Sequence, residues 1–371
     1  MASKLFQGKL DSSTKREAVF AFRAGTRYPE PEAIIQVDKN HIAVGVTLLG
    51  LTVGFLAVKY FRAPWRRRLG PTGWLGTAII VAAEILLAFH KPVATLFFTP
   101  IVWTGYLLLV GALVRSLSST PSATAAVSQT LLPYSKWLAF WSVPLWLVFE
   151  AYNLRLRNWT YVGLPANPLV RGIGYVWAFA TIWPAIVVTA HFLRAVGLFS
   201  NRTEPRPACK TSTVAAIFLT GLVFLLFPIL APVRVGSYLF GLVWIGFVLL
   251  LDPLNYWWKG RSLLREWEAG DSSTLLSFLA AGWVCGIFWE FWNFWSVAKW
   301  LYVFPILQNR KVFEMPILGY VGFLPFAVEC FVMYEFLRVA GGRLAVLGRP
   351  LIRSEASPLD SSGLSVPDSD T

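Results

Sequence analysis

Residues Thr213–Ala231 read TVAAIFLTGLVFLLFPILA, a stretch without a single charged side chain. A run of that length and apolarity is what a helix needs to cross the hydrocarbon core of a bilayer. Comparable runs lie on both sides of it, at Ile42–Tyr60 and at about 74–90, 96–114, 137–153, 174–193, 237–252, 274–294 and 316–337, bounded by Pro, Gly or basic residues. They specify an all-α, polytopic helical membrane protein with about nine transmembrane helices. Composition agrees: of 371 residues, 56% are hydrophobic and 14% charged, with 18 Trp, 28 Phe and 12 Tyr. Soluble domains carry roughly 25% charged residues. A disordered chain, a nucleic-acid-binding domain and a secreted disulfide scaffold are thereby excluded, despite the net charge of +13. Lys and Arg in loops facing lipid headgroups account for that charge. Cys209, Cys285 and Cys330 are too widely spaced for a metal-ligand pattern or a disulfide framework.

Residues 1–41 hold seven basic and five acidic side chains and no apolar core, which predicts a soluble N-terminal tail. The span at 42–60 is followed by Lys59, Arg62, Arg66, Arg67 and Arg68 with no acidic residue among them. The positive-inside rule puts this loop in the cytoplasm. With that choice the inner segments after the first helix carry 18 Lys or Arg and the outer loops 8, giving a cytoplasmic C-terminus and an external N-terminal tail. Residues 354–371, rich in Ser, Asp and Pro, predict a disordered C-terminal tail.

An internal repeat organises the spans. At a shift of 140 or 141, Pro92 falls on Pro232, Trp103 on Trp244, Gly105 on Gly246, Glu150 on Glu290, Asn153 on Asn293, Trp159 on Trp300, Tyr161 on Tyr302, Pro165 on Pro305 and Pro184 on Pro325. Two tandem four-helix repeats follow, 74–200 and 213–338, with the N-terminal helix outside them. An even number of helices keeps the copies parallel, with their symmetry axis along the membrane normal and a seam between them.

Ionisable groups on spanning helices are costly against lipid and turn inward. Here they are Glu84, Glu150, His191, Asp252, Glu290, Glu329 and Glu335. Glu150 and Glu290 each have an Asn three residues on, Asn153 and Asn293, so carboxyl and amide share a helix face one turn apart. The pair can serve catalysis, with the amide as a substrate-binding donor, or act as a helix-to-helix polar clamp. Glu329 stands midway along the last span, four residues after Pro325, which frees a carbonyl near Val321. A carboxyl removed from water favours the neutral acid, the state a proton donor needs; a buried structural Glu at a kink is the alternative. Glu335, three residues before Arg338, reads as an interfacial ion pair. Aromatic rings crowd both acids: Trp289, Trp292 and Trp300 around Glu290, and Trp137, Trp141, Trp146 and Trp159 around Glu150. They fit an interfacial belt or a ring of π-faces that stabilises a cation. His90 and His191 lack neighbours at metal-ligand spacing, and no Gly-rich loop is placed to hold phosphate.

The segment Trp289-Glu-x-x-Asn293, Trp300-x-Tyr302, Pro316-x-x-Gly319-x-x-Gly322-x-x-Pro325-x-x-x-Glu329-x-Phe331 resembles the small membrane-embedded lycopene cyclases of heterodimeric or fused type. The first half matches more faintly, through Glu150, Asn153, Trp159 and Tyr161. Where that family has paired glutamates after its Pro, this chain has Glu329 alone, and its units hold four helices instead of three. The resemblance implies acid-initiated cyclisation of a long isoprenoid. A neutral Glu, Glu329 or Glu290, would protonate a terminal alkene, Trp289 and Trp292 would steady the cation, and a second carboxylate such as Glu150 would accept the departing proton.

Two classes of function therefore stand at this point. One is a cofactor-independent isoprenoid cyclase or isomerase with catalytic Glu290, Glu329 and Glu150 and substrate-binding Asn293, Asn153, Trp289, Trp292, Trp300, Tyr302, Trp159 and Tyr161. The other is a non-enzymatic membrane protein, a carrier of a small apolar solute or a subunit of a membrane complex. Either is expected in a prokaryotic inner (plasma) membrane, with a membrane lipid or isoprenoid as partner, and without nucleic acid, metal or cofactor. The enzyme predicts Glu290 and Glu329 converging on an apolar slot; the carrier predicts a polar path open to water.

Overall fold

The computed structural model describes residues 39–63, 68–117, 121–199 and 203–342. Most of the two expected tails, with Arg66 and Arg67, lies outside them. The chain is almost wholly helical: α1 (Lys39–Arg62), α2 (Pro71–Ala88), α3 (Pro92–Ser116), α4 (Pro121–Leu156), α5 (Pro168–Ala180), α6 (Ile182–Ala195), α7 (Thr211–Leu230), the short α8 (Val233–Gly236), α9 (Phe240–Trp257), the short α10 (Leu263–Glu268), α11 (Ser273–Trp295) and α12 (Gly319–Gly342). Four strands are interspersed: β1 (Trp159–Val162), β2 (Lys299–Tyr302), β3 (Lys311–Val312) and β4 (Met315–Pro316).

Among the described residues eight helical stretches are long and apolar enough to cross a membrane, α5 and α6 together forming one of them. The 36-residue α4 is long enough but carries Glu150 and Asn153 and is not among the eight. Its course nonetheless completes an alternation. The start of α1 touches the β3–β4 hairpin through Gly45 and Phe313. Helices α2, α4, α7 and α11 then end near that face, and α3, α5, α9 and α12 begin there.

Prolines adjust the expected spans. Pro100 cannot donate to the carbonyl one turn earlier, and α3 kinks at Phe97 (φ −125°, ψ 23°). Pro184 lies in the first turn of α6, where a missing N–H is tolerated, and the expected single span at 174–193 divides at Thr181 into α5 and α6.

Glycine sets the closest helix contacts, as is usual in membranes. A Cβ on Gly76 of α2 would lie 2.5 Å from the Leu109 nitrogen of α3, and one on Gly221 of α7 would lie 2.4 Å from the Leu250 nitrogen of α9. The receiving grooves, Gly105 with Leu109 and Gly246 with Leu250, are each 141 residues apart. The Trp-x-Tyr segments are strands. β1 and β2 pair antiparallel with Trp159 opposite Tyr302, Thr160 opposite Leu301, Tyr161 opposite Trp300 and Val162 opposite Lys299. The central rung thus joins two residues 141 apart, and an antiparallel pair has its local two-fold at such a rung. Gly163, just past β1, has φ +66°, and a Cβ there would stand 2.1 Å from the Val297 carbonyl oxygen, so only glycine fits.

This register makes a direct prediction. Cysteines at Thr160 and Leu301 are expected to cross-link in the membrane under mild oxidation, because directly opposed residues have Cα atoms about 4.5–5.5 Å apart, within disulfide range. Thr160→Cys with Lys299→Cys, two rungs out of register, is expected to remain uncross-linked on a gel-shift assay.

Candidate active site

The two acid motifs build two related clusters at the ladder. Near the end of α4, Asn153 turns its amide onto the chain that follows: its Oδ1 accepts from the Asn158 and Trp159 backbone nitrogens (2.8 and 3.1 Å), and its Nδ2 donates to the Trp159 carbonyl (2.9 Å). Near the end of α11, Asn293 does the same to Trp300, accepting from its nitrogen at 3.0 Å and donating to its carbonyl at 2.9 Å. Both amides are therefore spent on positioning a strand. Substrate binding or a helix-to-helix clamp was expected of them; the bonds they make are to the backbone of the segment that follows each helix. Replacing Asn293 by Ala is expected to cost about 1–3 kcal/mol, since the half-buried Trp300 backbone N–H and carbonyl lose their partner; a melting curve in detergent checks it.

Each latch brings a Trp and a Tyr back over the carboxyl one turn earlier in its helix. Glu150 Oε1 accepts from Trp146 Nε1 (2.9 Å), Trp159 Nε1 (3.2 Å) and the Tyr161 hydroxyl (2.5 Å). Glu290, fully buried, accepts on Oε1 from the Tyr302 hydroxyl at 2.8 Å, and Trp300 Nε1 donates to that same phenol oxygen at 2.8 Å. The clusters differ in one donor. At the place of Trp146 the second half has Gly286, and the Phe323 ring packs where a side chain would be. Glu290 Oε2 consequently has no hydrogen-bond partner. Burial first, and then the adjacent carboxylate, holds the Tyr161 and Tyr302 phenols well above the ordinary tyrosine range, so both keep their protons.

Behind Glu290, on the loop side, lies a charged group. Lys299 pairs with Glu314 and donates to the Phe294 carbonyl at 3.2 Å, and Lys311 is buried beside Glu314 and Glu290. Burial pulls the Lys311 ammonium below the usual lysine range.

Between the clusters is a cavity of about 150 Å³, a volume that accommodates a benzene-sized apolar group. Trp159, Tyr161, Trp300 and Tyr302 line it, with Trp103, Trp146, Trp244, Trp289, Phe323 and Phe326 among the other walls. Trp103 with Trp244, Trp159 with Trp300, Tyr161 with Tyr302 and Ile182 with Phe323 are lining pairs 141 residues apart, so the space straddles the ladder's two-fold. Two polar atoms of lining side chains, Trp103 Nε1 and Thr99 Oγ1, are buried without a partner.

The other expected site residues lie elsewhere. Trp292 turns away from the cavity, donating from Nε1 to Glu84 at 2.9 Å and meeting Trp103 edge-on. Glu329 is fully buried and neither oxygen has a partner. Its electrostatic neighbours are Tyr152 and Cys330, not the partners of Glu290, and it does not line the cavity. Glu290 and Glu329, expected to converge, share no hydrogen-bond partner; Glu290 and Glu150 instead each bond a phenol, Tyr302 and Tyr161, that lines the cavity. Asp252 accepts from the Leu263 and Leu264 nitrogens and so holds α10, and Glu335 pairs with Arg338 as expected. Among the described residues no group of three or more His, Cys, Asp or Glu is placed to hold a metal.

Trp103, Thr99, Tyr175 and Arg171 of the lining were not expected. The repeat match of Trp103 with Trp244 was the available signal for the first; nothing local marked the others. No family model, curated protein or solved structure matches the chain.

Proposed function

We propose that this membrane protein binds the end of an unsaturated isoprenoid chain in the aromatic cavity and isomerises or cyclises it by acid-initiated chemistry. The observation that carries the proposal is the ladder register, which sets the phenols of two carboxyl–phenol pairs on one face of the ladder, both lining one apolar space. The pairs suit opposite roles. Glu150 has three donors on one oxygen, the surroundings of a carboxylate. Glu290, with an orphan oxygen and one hydroxyl partner, fits the neutral acid.

In the forward step the hydrogen bond from Tyr302 to Glu290 reverses: the neutral Glu290 O–H donates to the Tyr302 oxygen, which also accepts from Trp300, and the phenol O–H turns to the alkene. The phenol proton passes to the terminal alkene carbon and the Glu290 proton moves onto the phenol. The tertiary cation so formed lies among the faces of Trp103, Trp289 and Phe326, where π-density favours positive charge. Attack by a second alkene closes a ring. The carbon next to the final cation then gives its proton to Tyr161, whose own proton moves to Glu150. Atoms and electrons balance with no oxidant, the product has the mass of the substrate, and the cycle closes when Glu150 releases its proton and Glu290 takes one up. Exclusion of water keeps the cation from hydration. By the distribution of Lys and Arg, the ladder end faces the outer side of the membrane.

Lipid mass spectrometry tests the proposal against transport. A strain lacking the chain and the same strain re-supplied with it are expected to differ in one isoprenoid of unchanged mass and altered retention time. Identical sets of lipid species, with only their distribution across the membrane changed, would favour a carrier.

A further inference from the structure

The cavity is not purely a hydrocarbon site. Its lining includes Arg171, in the first turns of α5, and Lys299, at the start of β2. Lys299 is engaged by Glu314 and by the Phe294 carbonyl, and Glu150 is engaged by its three donors. The Arg171 guanidinium, by contrast, makes no hydrogen bond or ion pair with any described residue, although it stands near Tyr175 and is only partly exposed. Farther along the same slot, Thr99 Oγ1 and Trp103 Nε1 are buried donors without acceptors.

A hydrocarbon occupant would leave the Arg171 guanidinium, at one end of an otherwise largely apolar slot, without a counter-charge. We infer that the ligand is an amphiphile: a single isoprenoid chain ending in an anionic, oxygen-rich head of the phosphate class, with the head on Arg171 and the chain directed toward Trp103, Ile182 and Phe326. Arginine suits this because its planar fork matches the oxygens of a phosphate in pairs. The helix order supports the direction. Arg171 lies at the ladder end, where loops meet the headgroup layer, while Ile182 begins the next helix inward along the same span. The location of Arg171 also explains why the slot carries a cation at all, since no structural partner requires one. This inference rests on the cavity being an isoprenoid site and specifies which isoprenoids enter it.

Binding is measured on the full chain in nanodiscs of zwitterionic lipid, by quenching of the tryptophans that line the slot. The probes are farnesyl monophosphate, farnesol and inorganic phosphate. Farnesyl monophosphate is expected to bind about tenfold or more tighter than farnesol, as one charge-assisted contact warrants. Arg171→Gln is expected to erase that difference while leaving farnesol binding and the melting temperature unchanged, and Arg171→Lys to retain part of it. Inorganic phosphate is expected not to compete at concentrations that saturate with the lipid. Equal affinity for farnesol and its phosphate, or an unchanged preference in Arg171→Gln, overturns the inference and leaves the isoprenoid site standing. Inorganic phosphate binding as tightly as the lipid overturns it by removing the chain. Failure of both chain-bearing probes to bind overturns the isoprenoid site and this inference together.

Discussion

Glu290→Gln is expected to lower turnover by about 10²–10⁴-fold, the usual contribution of a positioned general acid, with the protein still folded. The amide keeps the size of the side chain and can still meet the Tyr302 hydroxyl, which the carboxyl contacts at 2.8 Å. It has no acidic proton to hand to the phenol, so protonation of the alkene stops while binding of the chain persists. Isoprenoid substrate should therefore accumulate in membranes carrying this variant. Glu329→Gln, on a carboxyl that neither lines the cavity nor bonds a residue that does, whereas Glu290 bonds the lining Tyr302, is expected to retain turnover within a few-fold of wild type by the same mass-spectrometric assay. The contrast separates a role in the cavity from a general need for buried carboxyls.

The largest structural effect is expected at Gly282. A Cβ there would fall 2.1 Å from the Phe323 carbonyl oxygen and 2.8 Å from its carbon, so the obstacle is backbone and cannot swing aside. Gly286, one turn on, receives the Phe323 ring at 2.3 Å. Together they let α11 and α12 approach closely, and that approach puts Phe323 and Phe326 in the wall beside Trp289. Gly282→Val is expected to cost about 3 kcal/mol or more, at the upper end of overpacking in a filled core. A fall in melting temperature in detergent, together with loss of the energy gap between apolar-probe binding and non-specific partition, checks it. A substitution at Gly50, where nothing lies within 4 Å of the added carbon, is the matched control and should be neutral.

The spans were legible because their apolar runs are long; the recurrence of Glu, Asn, Trp, Tyr and Pro at one spacing was legible too, and the ladder lays Thr160 against Leu301 at that same spacing. Sequence spacing was enough to put Trp159 with Glu150 and Trp300 with Glu290, but the Tyr161 and Tyr302 hydroxyls on those carboxyls came only with the folded strands. It did not show what the Asn does, because a side chain on the same helix face as a carboxyl can equally well reach past the helix end to the backbone. Nor did it place Glu329: three residues along a helix turn a side chain to a different neighbour, and only the packing of α12 on α9 and α11 decides which. The strand pairing was hidden because four residues on each side, without turn signals between them, carry almost no local pattern. Gly282-x-x-x-Gly286 was a readable mark of close helix approach, since small residues at that spacing line membrane helix contacts.

The central claim is that one aromatic cavity, held between the Glu150 and Glu290 clusters, receives an isoprenoid chain. Photolabelling in native membranes tests it most directly, using a farnesyl monophosphate with a diazirine at the far end of its chain and mapping the labelled peptides. Labels are expected on Trp103, Ile182, Trp289 and Phe326, at the inner end of the slot, and should disappear under excess unlabelled lipid. Labels confined to the groove beneath α1, on Leu51, Phe55 and Trp283, or spread without competition over lipid-facing side chains, would contradict the claim.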